Sequence, residues 1–115
     1  MYKGLQVYQR SYKLAISLYK FTANMPNDER YGLTSQIKRA ATSIPLNIAE
    51  GYGKNDTKSE VKRYLKMAKG SCNELEVLMD MCKDLKFMDE SAHKKYIAEL
   101  SEIGAMLYGL SKSLN

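Results

Sequence analysis

The sequence contains few of the residues that interrupt helices or bind metals. Among its 115 residues there are two prolines, two cysteines, one histidine and no tryptophan. Alternating runs rich in Val, Ile and Thr, which are typical of β-strands, are missing as well. Leu, Ala, Lys, Glu, Met and Tyr dominate instead, and this composition favours helices. We therefore predict an all-α protein.

Long apolar segments are also missing. No apolar run approaches the roughly 20 residues of a membrane-spanning helix. The N-terminal sequence MYKGLQ lacks the apolar core of a signal peptide, so we expect a cytoplasmic protein with no membrane partner. A chain of 115 residues can bury a sufficient core as one compact unit. We therefore predict a single domain over residues 1–115.

Residues that could support catalysis or metal binding are scarce. We predict that His93 lies on the surface among lysines, without a catalytic or metal-binding partner. Glu76, Asp80 and Asp84 recur every four residues, which is typical of a solvated helix face, and no Glu-x-x-His pair accompanies them. A glycine loop that could hold phosphate is absent. We expect neither an enzyme nor a bound metal or cofactor.

The two cysteines, Cys72 and Cys82, are ten residues apart in one predicted helix. At that spacing they would be about 15 Å apart along the helix axis. A disulfide cannot span this distance. We predict that both act as small buried apolar side chains.

Apolar residues recur at helical spacing in four segments. The predicted helices run from Leu5 to Ala23, from Tyr31 to Glu50, from Thr57 to Leu85 and from Glu90 to Leu114. Pro26 ends the first helix, and Thr57 with Glu60 matches a capping box at the start of the third. Short connections between four helices predict an antiparallel up-down bundle.

Pro45 lies inside the second predicted helix. A proline there removes one backbone hydrogen bond, leaving the carbonyl of Ala41 free, at a cost of about 3 kcal/mol. We predict that Pro45 bends the helix without ending it, and that the small residues before it suit close packing. Gly51 and Gly53 are predicted to end the helix, since glycine readily adopts the left-handed conformation found there.

The first and fourth helices have wider apolar faces than a monomeric bundle requires. Apolar residues cover more than half of the first helix, whereas an outer helix needs a stripe of about 100°. On the fourth helix, Ile97, Gly104 and Tyr108 form a second stripe beside that of the core. We therefore expect a homo-oligomer that buries the additional faces.

Basic residues are concentrated in the first half of the third helix, within a chain of net charge +5. Residues 54–69 carry a net charge of +4 and residues 74–84 one of −3. Exposed positive charge near a helix N-terminus costs about 0.3–1 kcal/mol per group, so stability alone would favour the reverse order. The basic side chains are a stripe of Lys58, Lys62, Lys66 and Lys69, with Lys54 before it and Arg63 at another angle.

Two interpretations of this stripe stay open. It is either a solvated lysine face that tolerates the electrostatic cost, or a surface for RNA or DNA. In the second interpretation the lysines contact phosphates without reading sequence, and binding weakens with salt. Lys38 and Arg39, which lie off the core stripe of the second helix, would extend this surface. Tyr52, predicted in the loop beside it, would stack on a base.

Several short segments of the sequence form one recognisable pattern. They are Leu5-x-Val-Tyr8, Pro26-x-x-Glu29-x-Tyr-Gly-Leu33, Gln36-Ile-Lys-Arg-Ala-Ala41, Ser43-Ile-Pro-x-Asn-Ile-Ala-Glu-Gly51, Ala68-x-Gly-Ser71 and Glu74-Leu75. Together they resemble the four-helix-bundle proteins encoded in intervening sequences of bacterial 23S ribosomal RNA genes, a family related to the accessory variability determinant proteins of diversity-generating retroelements. Tryptophan is usual in the family where Tyr8 stands, and phenylalanine where Tyr64 stands.

The resemblance implies an up-down four-helix bundle without enzymatic activity that assembles into a ring-like pentamer. The retroelement relatives are partners of a reverse transcriptase and bind nucleic acid through basic surfaces. The resemblance therefore implies an accessory protein that binds RNA or DNA, with a reverse transcriptase as a candidate partner. The alternative is a protein-interaction scaffold that does not contact nucleic acid.

Overall fold

The computed structural model describes residues 1–53 and 57–114, and within them every long element is an α-helix. No described residue lies in a β-strand, which confirms the all-α prediction. None of the described helices is long and apolar enough to cross a membrane. The helices are α1 (Gln6–Thr22), α2 (Leu33–Gly53), α3 (Lys58–Asp84) and α4 (Glu90–Ser113), with short 3₁₀ turns at Tyr2–Gly4 and Asn27–Glu29.

The four helices form a bundle around one apolar core. Each helix contributes fully buried side chains, for example Leu18, Ile37 and Leu100. Cys72 and Cys82 are buried in this core as free thiols, which confirms that they do not pair. Burial raises the pKa of each thiol to about 11, because the charged thiolate is poorly solvated there. Neither cysteine is therefore a reactive nucleophile near neutral pH.

Polar contacts join α1 to α4 along one side of the bundle. The Arg10 guanidinium donates to both carboxylate oxygens of Glu99, at 2.6 and 3.0 Å. Further along, the Ser17 and Tyr96 hydroxyls are hydrogen-bonded at 2.7 Å. Elsewhere α2 packs against both α1 and α3, and α3 packs against α4. In the described part of the chain α1 and α3 share no contacts, so they occupy opposite corners of the bundle.

Helix α2 continues through Pro45, as predicted, and buries that residue. Around the proline, small polar side chains link α2 to α3. The Ser71 hydroxyl donates to the Ser43 hydroxyl at 2.8 Å, and Asn47 donates to the same oxygen at 2.9 Å. The small side chains before Pro45 therefore allow α2 and α3 to approach closely enough for a serine–serine hydrogen bond.

The glycine stop predicted for α2 lies at Gly53, but it does not use the left-handed conformation that we expected. Gly51 lies inside the helix and is buried, and α2 ends at Gly53. No described glycine has a positive φ angle, so Gly51 does not act as a left-handed helix terminator. A Cβ atom at Gly51 would lie 2.9 Å from the Cβ of Tyr64 on α3. Glycine is needed here because α3 packs directly against the backbone of α2.

The starts of α3 and α4 are fixed by side-chain caps. The Thr57 hydroxyl accepts from the backbone N–H of Glu60 at 3.2 Å, which confirms the Thr57 part of the predicted capping box. The Asp89 carboxylate accepts from the backbone N–H of Ala92 at 2.8 Å. Between the helices, Lys86 takes a positive φ of 65°, which reverses the chain direction after α3.

Candidate nucleic-acid interface

The lysine stripe lies along the boundary between α3 and the end of α4. Successive lysines four residues apart are about 6 Å apart along the helix axis. Lys58 and Lys66 are exposed and Lys62 is half-buried. These three lysines line one open groove of about 570 Å³, which we call the basic groove. Its lining is completed by Ser59, Arg63 and Ser111.

The three lysines of the basic groove carry charge that no described carboxylate compensates. Lys58, Lys62 and Lys66 form no ion pair with any described residue. Three unpaired ammonium groups in one groove, on the first turns of a helix, produce a local excess of positive potential. Within residues 1–53 and 57–114 no carboxylate neutralises this charge, so the groove is electrostatically suited to an anion.

Arg63 also lines the basic groove, but its charge is already compensated. Its guanidinium donates to both carboxylate oxygens of Glu60, at 3.0 and 3.2 Å. It also lies over the Tyr64 ring, 4.6 Å from the ring centroid. The hydrogen bond to Glu60 is the main reason that the pKa of Arg63 is raised. Arg63 therefore adds less to the attraction of anions than each neighbouring lysine does.

Lys69 belongs to the stripe but not to the lining of the groove. Its ammonium group donates to the Asn73 side-chain oxygen at 2.9 Å. Its aliphatic stem crosses Gly104 of α4, and a Cβ atom added there would lie 3.2 Å from Cε of Lys69. The stem packs between the helices, and the charge, which has only a neutral partner, extends the positive stripe toward the middle of α3.

The structure does not place the remaining predicted residues in the basic groove. Lys38 lies over the Tyr19 ring of α1, with its ammonium group 5.0 Å from the ring centroid. Arg39 lines a separate polar cavity of about 320 Å³ between α2 and α3, together with Glu74. Lys54 lies outside the described residues. Lys38 and Arg39 therefore point toward opposite neighbours of α2 and do not extend the groove.

Tyr52 was predicted to lie in a loop, and this prediction is wrong. It lies in the last turn of α2, and its ring packs partly buried against the core. Its hydroxyl is buried and has no hydrogen-bond partner among the described residues. Burial raises the pKa of Tyr52. A ring held in this way is a poor platform for stacking on a base.

His93 has a partner that the sequence analysis did not anticipate. Its Nε2 atom lies 2.7 Å from a carboxylate oxygen of Asp80, and its side chain is only 16% exposed. The histidine is therefore partly buried against a carboxylate, and the prediction that it lies on the open surface is wrong. This contact joins α3 to α4 and occupies the single imidazole of the sequence. Among the described residues no cluster of three or more His, Cys, Asp or Glu could hold a metal.

Tyr108 is the residue near the basic groove that the sequence analysis did not select. Its side chain is 63% exposed, and Lys112 lies over its ring at 5.8 Å. The neighbours Gly104 and Ser111 on the same stripe of α4 contact Lys69 and line the groove, respectively. The i, i+4, i+7 spacing of Gly104, Tyr108 and Ser111 indicates from the sequence that these three residues share one stripe of the helix.

The family model described as 23S rRNA-intervening sequence protein matches residues 3–109 of the chain. The match covers all four helices apart from the last residues of α4. The chain belongs to the 23S rRNA-intervening sequence protein family. This membership confirms the family that the motif segments of the sequence indicated.

A solved structure similar to this member of the 23S rRNA-intervening sequence family is a protein of unknown function. It comes from Bacteroides thetaiotaomicron VPI-5482 and is described as a member of the S23 ribosomal protein family. The two chains superpose with a TM-score of 0.81 at 23% identity, over 92% of this chain and 98% of the other. The likeness therefore concerns the fold. A search of curated proteins found no match.

Proposed function

We propose that this 23S rRNA-intervening sequence family member is a non-enzymatic accessory protein that binds the phosphate backbone of nucleic acid in the basic groove. One observation carries the proposal: Lys58, Lys62 and Lys66 line a single groove, and none has an ion-pair partner among the described residues. Lys69 extends the stripe by one further charge. Because lysine binds phosphate as a point charge, this contact does not depend on base sequence.

The absence of catalysis is part of this proposal. The thiols are buried with pKa values of about 11, and the histidine is hydrogen-bonded to Asp80. The groove presents lysines, one compensated arginine and two serines, and this set holds an anion without providing a general base near neutral pH. Binding, positioning or protection of a nucleic acid therefore fits the residues better than a reaction does.

Replacing the stripe lysines tests the proposal directly. We expect K58E/K62E/K66E/K69E to weaken binding of labelled RNA or DNA roughly a hundredfold or more, since each lost phosphate contact also removes counterion release. Fluorescence anisotropy between about 50 and 200 mM salt should show a steep salt dependence for the parent and a flat one for the variant.

A matched control replaces four exposed lysines of α1 and α4, K13E/K20E/K94E/K95E, with the same change in net charge. This control should keep most of the affinity at moderate salt, because these lysines lie outside the groove. Circular dichroism should show equal helix content for both variants. Equal affinities of the parent and the stripe variant would refute the proposal.

The proposal also covers the arrangement and assembly of the chain. The contacts of Arg10 with Glu99 and of Ser17 with Tyr96 support an up-down arrangement, because residue numbers rise along α1 as they fall along α4. The resemblance to ring-forming relatives suggests a homopentamer, and the resemblance to retroelement accessory proteins makes a reverse transcriptase a candidate partner. Both the pentamer and the reverse-transcriptase partner are expectations that come from these relatives. The exposed apolar surfaces of the chain support assembly.

Two exposed apolar stripes favour self-assembly and support the alternative function of a protein-interaction scaffold. Because α1 and α3 are opposite corners of the bundle, the stripes face away from each other. Two different patches on opposite sides suit a head-to-tail contact between copies of the chain. Such contacts form a closed ring when the rotation from one subunit to the next brings the last subunit back to the first. The stripes are Tyr12, Ile16 and Tyr19 on α1, each 43–52% exposed, and Met67, Val77 and Met81 on α3, each 44–59% exposed.

A further inference from the structure

We infer that the basic groove takes single-stranded nucleic acid, with Tyr108 stacking on an unpaired base while the lysines hold the phosphates. This inference rests on the proposed function of the groove and adds the form of its ligand. The ligand chemistry is a flexible polyphosphate strand that carries accessible aromatic bases. Single-stranded RNA and single-stranded DNA share this chemistry.

The position of Tyr108 along α4 places it beside the lysine stripe. Four residues before it, Gly104 touches the stem of Lys69; three residues after it, Ser111 lines the groove with Lys58 and Lys62. Residues at i, i+4 and i+7 share one stripe of a helix. Tyr108 therefore lies between two points at which α4 meets the lysine stripe of α3.

The exposure of Tyr108 sets it apart from most aromatic rings near the core. Its side chain is 63% exposed, whereas Tyr8, Tyr52 and Tyr96 pack partly buried against the apolar core. An exposed aromatic ring leaves apolar surface in contact with water. A base that stacks on the ring removes part of that surface from water, which is favourable. Lys112 lies 5.8 Å from the ring centroid and adds a further positive charge at the same edge.

The combination of cations and an exposed ring distinguishes single strands from duplexes. Lysines alone would bind either form, because both present phosphates. A base inside a duplex is stacked and paired on both sides, so Tyr108 cannot reach its face. A single strand lets its bases turn toward an aromatic side chain while its backbone follows the charged groove. Tyr108 therefore favours the single strand.

Another tyrosine provides a matched control. Tyr31 is 88% exposed, and Arg30 lies over its ring at 5.8 Å, the same distance as Lys112 from Tyr108. Tyr31 precedes α2, and residue numbers fall along α3 as they rise along α2, since Ser43 lies against Ser71 and Gly51 against Tyr64. Tyr31 is therefore at the end of α3 far from Lys58. Both rings are exposed and have a cation nearby, and of the two it is Tyr108 that shares a stripe of α4 with the groove residue Ser111.

The test measures anisotropy of labelled oligonucleotides of one length with the full chain. The probes are single-stranded RNA, single-stranded DNA, the corresponding duplexes and an abasic single strand. We expect the single strands to bind more tightly than duplexes and Y108L to weaken their binding roughly tenfold. Y108F should restore the affinity, and Y31L should not change it. On the duplexes and the abasic strand, Y108L should have no effect.

The outcomes separate this inference from the proposed function. Equal binding of single strands and duplexes, or an unchanged affinity for Y108L, would overturn the role of Tyr108 while the lysine variant could still lose binding. If the parent chain binds none of the probes, or if K58E/K62E/K66E/K69E binds as well as the parent, both ideas fail. The RNA and DNA arms identify which sugar the strand carries.

Discussion

Gly51 illustrates how one missing side chain shapes the helix pair that carries the basic groove. The Cβ of Tyr64 occupies the space that any larger residue at position 51 would need. The groove lysines begin on the same part of α3, one to two turns from this contact. The packing of α3 against α2 at Gly51 therefore helps to fix the direction from which the lysines leave the bundle.

Gly51→Ala should destabilise the protein by about 1–3 kcal/mol, because the added methyl group overpacks the contact with Tyr64. Urea unfolding followed by circular dichroism measures this change. Gly70→Ala is the matched control, since a Cβ there meets nothing within 4 Å. That change should stabilise α3 by about 0.5–1 kcal/mol. A Gly51→Ala variant as stable as the parent would contradict the close approach.

Neighbouring basic residues of α3 have different interaction partners in the fold. Lys62 faces the groove without an ion-pair partner among the described residues, whereas Arg63 is held by Glu60 and Lys69 by Asn73. The charge of Arg63 is compensated by a carboxylate, and that of Lys69 is not, because Asn73 is neutral. Individual lysine variants should therefore affect nucleic-acid binding more than an arginine variant does.

At the scale of the element, side-chain caps determine where α3 and α4 begin. Thr57 and Asp89 each accept a hydrogen bond from a backbone N–H three residues later. Both helices then run for more than twenty residues, and Lys86 reverses the chain between them. The start of α4 matters for the site because the far end of the same helix carries Tyr108 and Ser111.

Replacing the cap of α4 gives a prediction at this scale. Asp89→Ala should lower the free energy of unfolding by about 1 kcal/mol, since the N–H of Ala92 loses its acceptor. Asp89→Asn should recover most of this loss. The control is Asp84→Ala at the C-terminal end of α3, where removing a negative charge should not reduce stability. Equal losses in thermal unfolding for Asp84→Ala and Asp89→Ala would rule out a specific cap.

Helix α2 shows that a proline can lie inside a long helix when its surroundings compensate. Pro45 and Ala41 are both buried, and Ser43, Asn47 and Ser71 form a hydrogen-bonded group on neighbouring turns. The interactions between α2 and α3 therefore stabilise a segment whose own backbone lacks one hydrogen bond. Helix packing outweighs the local cost of about 3 kcal/mol that the proline introduces.

At the scale of the whole molecule, the outer surface divides into a basic groove and two apolar stripes. The α1 stripe of Tyr12, Ile16 and Tyr19 stays exposed in the single chain. On α4, by contrast, Gly104 is buried and Ile97 packs against the core, so only Tyr108 of the predicted second stripe remains outside. The additional apolar surface therefore belongs to α1 and α3 rather than to α1 and α4.

Ile16→Glu tests whether the α1 stripe joins copies of the chain. We expect the parent to form an oligomer and the variant to be a monomer, because a charge in a desolvated interface is costly. Native mass spectrometry at micromolar concentration measures both. Ala98→Glu, an apolar-to-acidic change at an exposed position of α4, should leave the oligomer intact. A monomeric parent would contradict assembly through these stripes.

Local sequence patterns predicted most of the fold. Helical spacing of apolar residues identified all four helices, and Thr57 identified the start of α3. The motif segments identified the family, which the match over residues 3–109 confirms. The role of Gly51 was missed because a glycine in a helix and a glycine after it look alike until a neighbouring helix is known.

The candidate site was only partly predictable. The lysine stripe follows from positions within one helix, and the structure places three of its members in one groove. Lys38 and Arg39 were grouped with it although they face α1 and the α2–α3 cavity. Tyr52 was chosen for stacking and Tyr108 was not, because the exposure of an aromatic ring depends on the surrounding helices.

Residues close together in the chain account for the helices, their caps, the family and the line of lysines on α3. The partners of those residues depend instead on how the helices pack against one another. The tertiary structure placed Tyr64 against Gly51, Asp80 against His93 and Ser111 in the lining of the basic groove. These contacts join residues distant in sequence, and they exist only after the helices have packed around a common core.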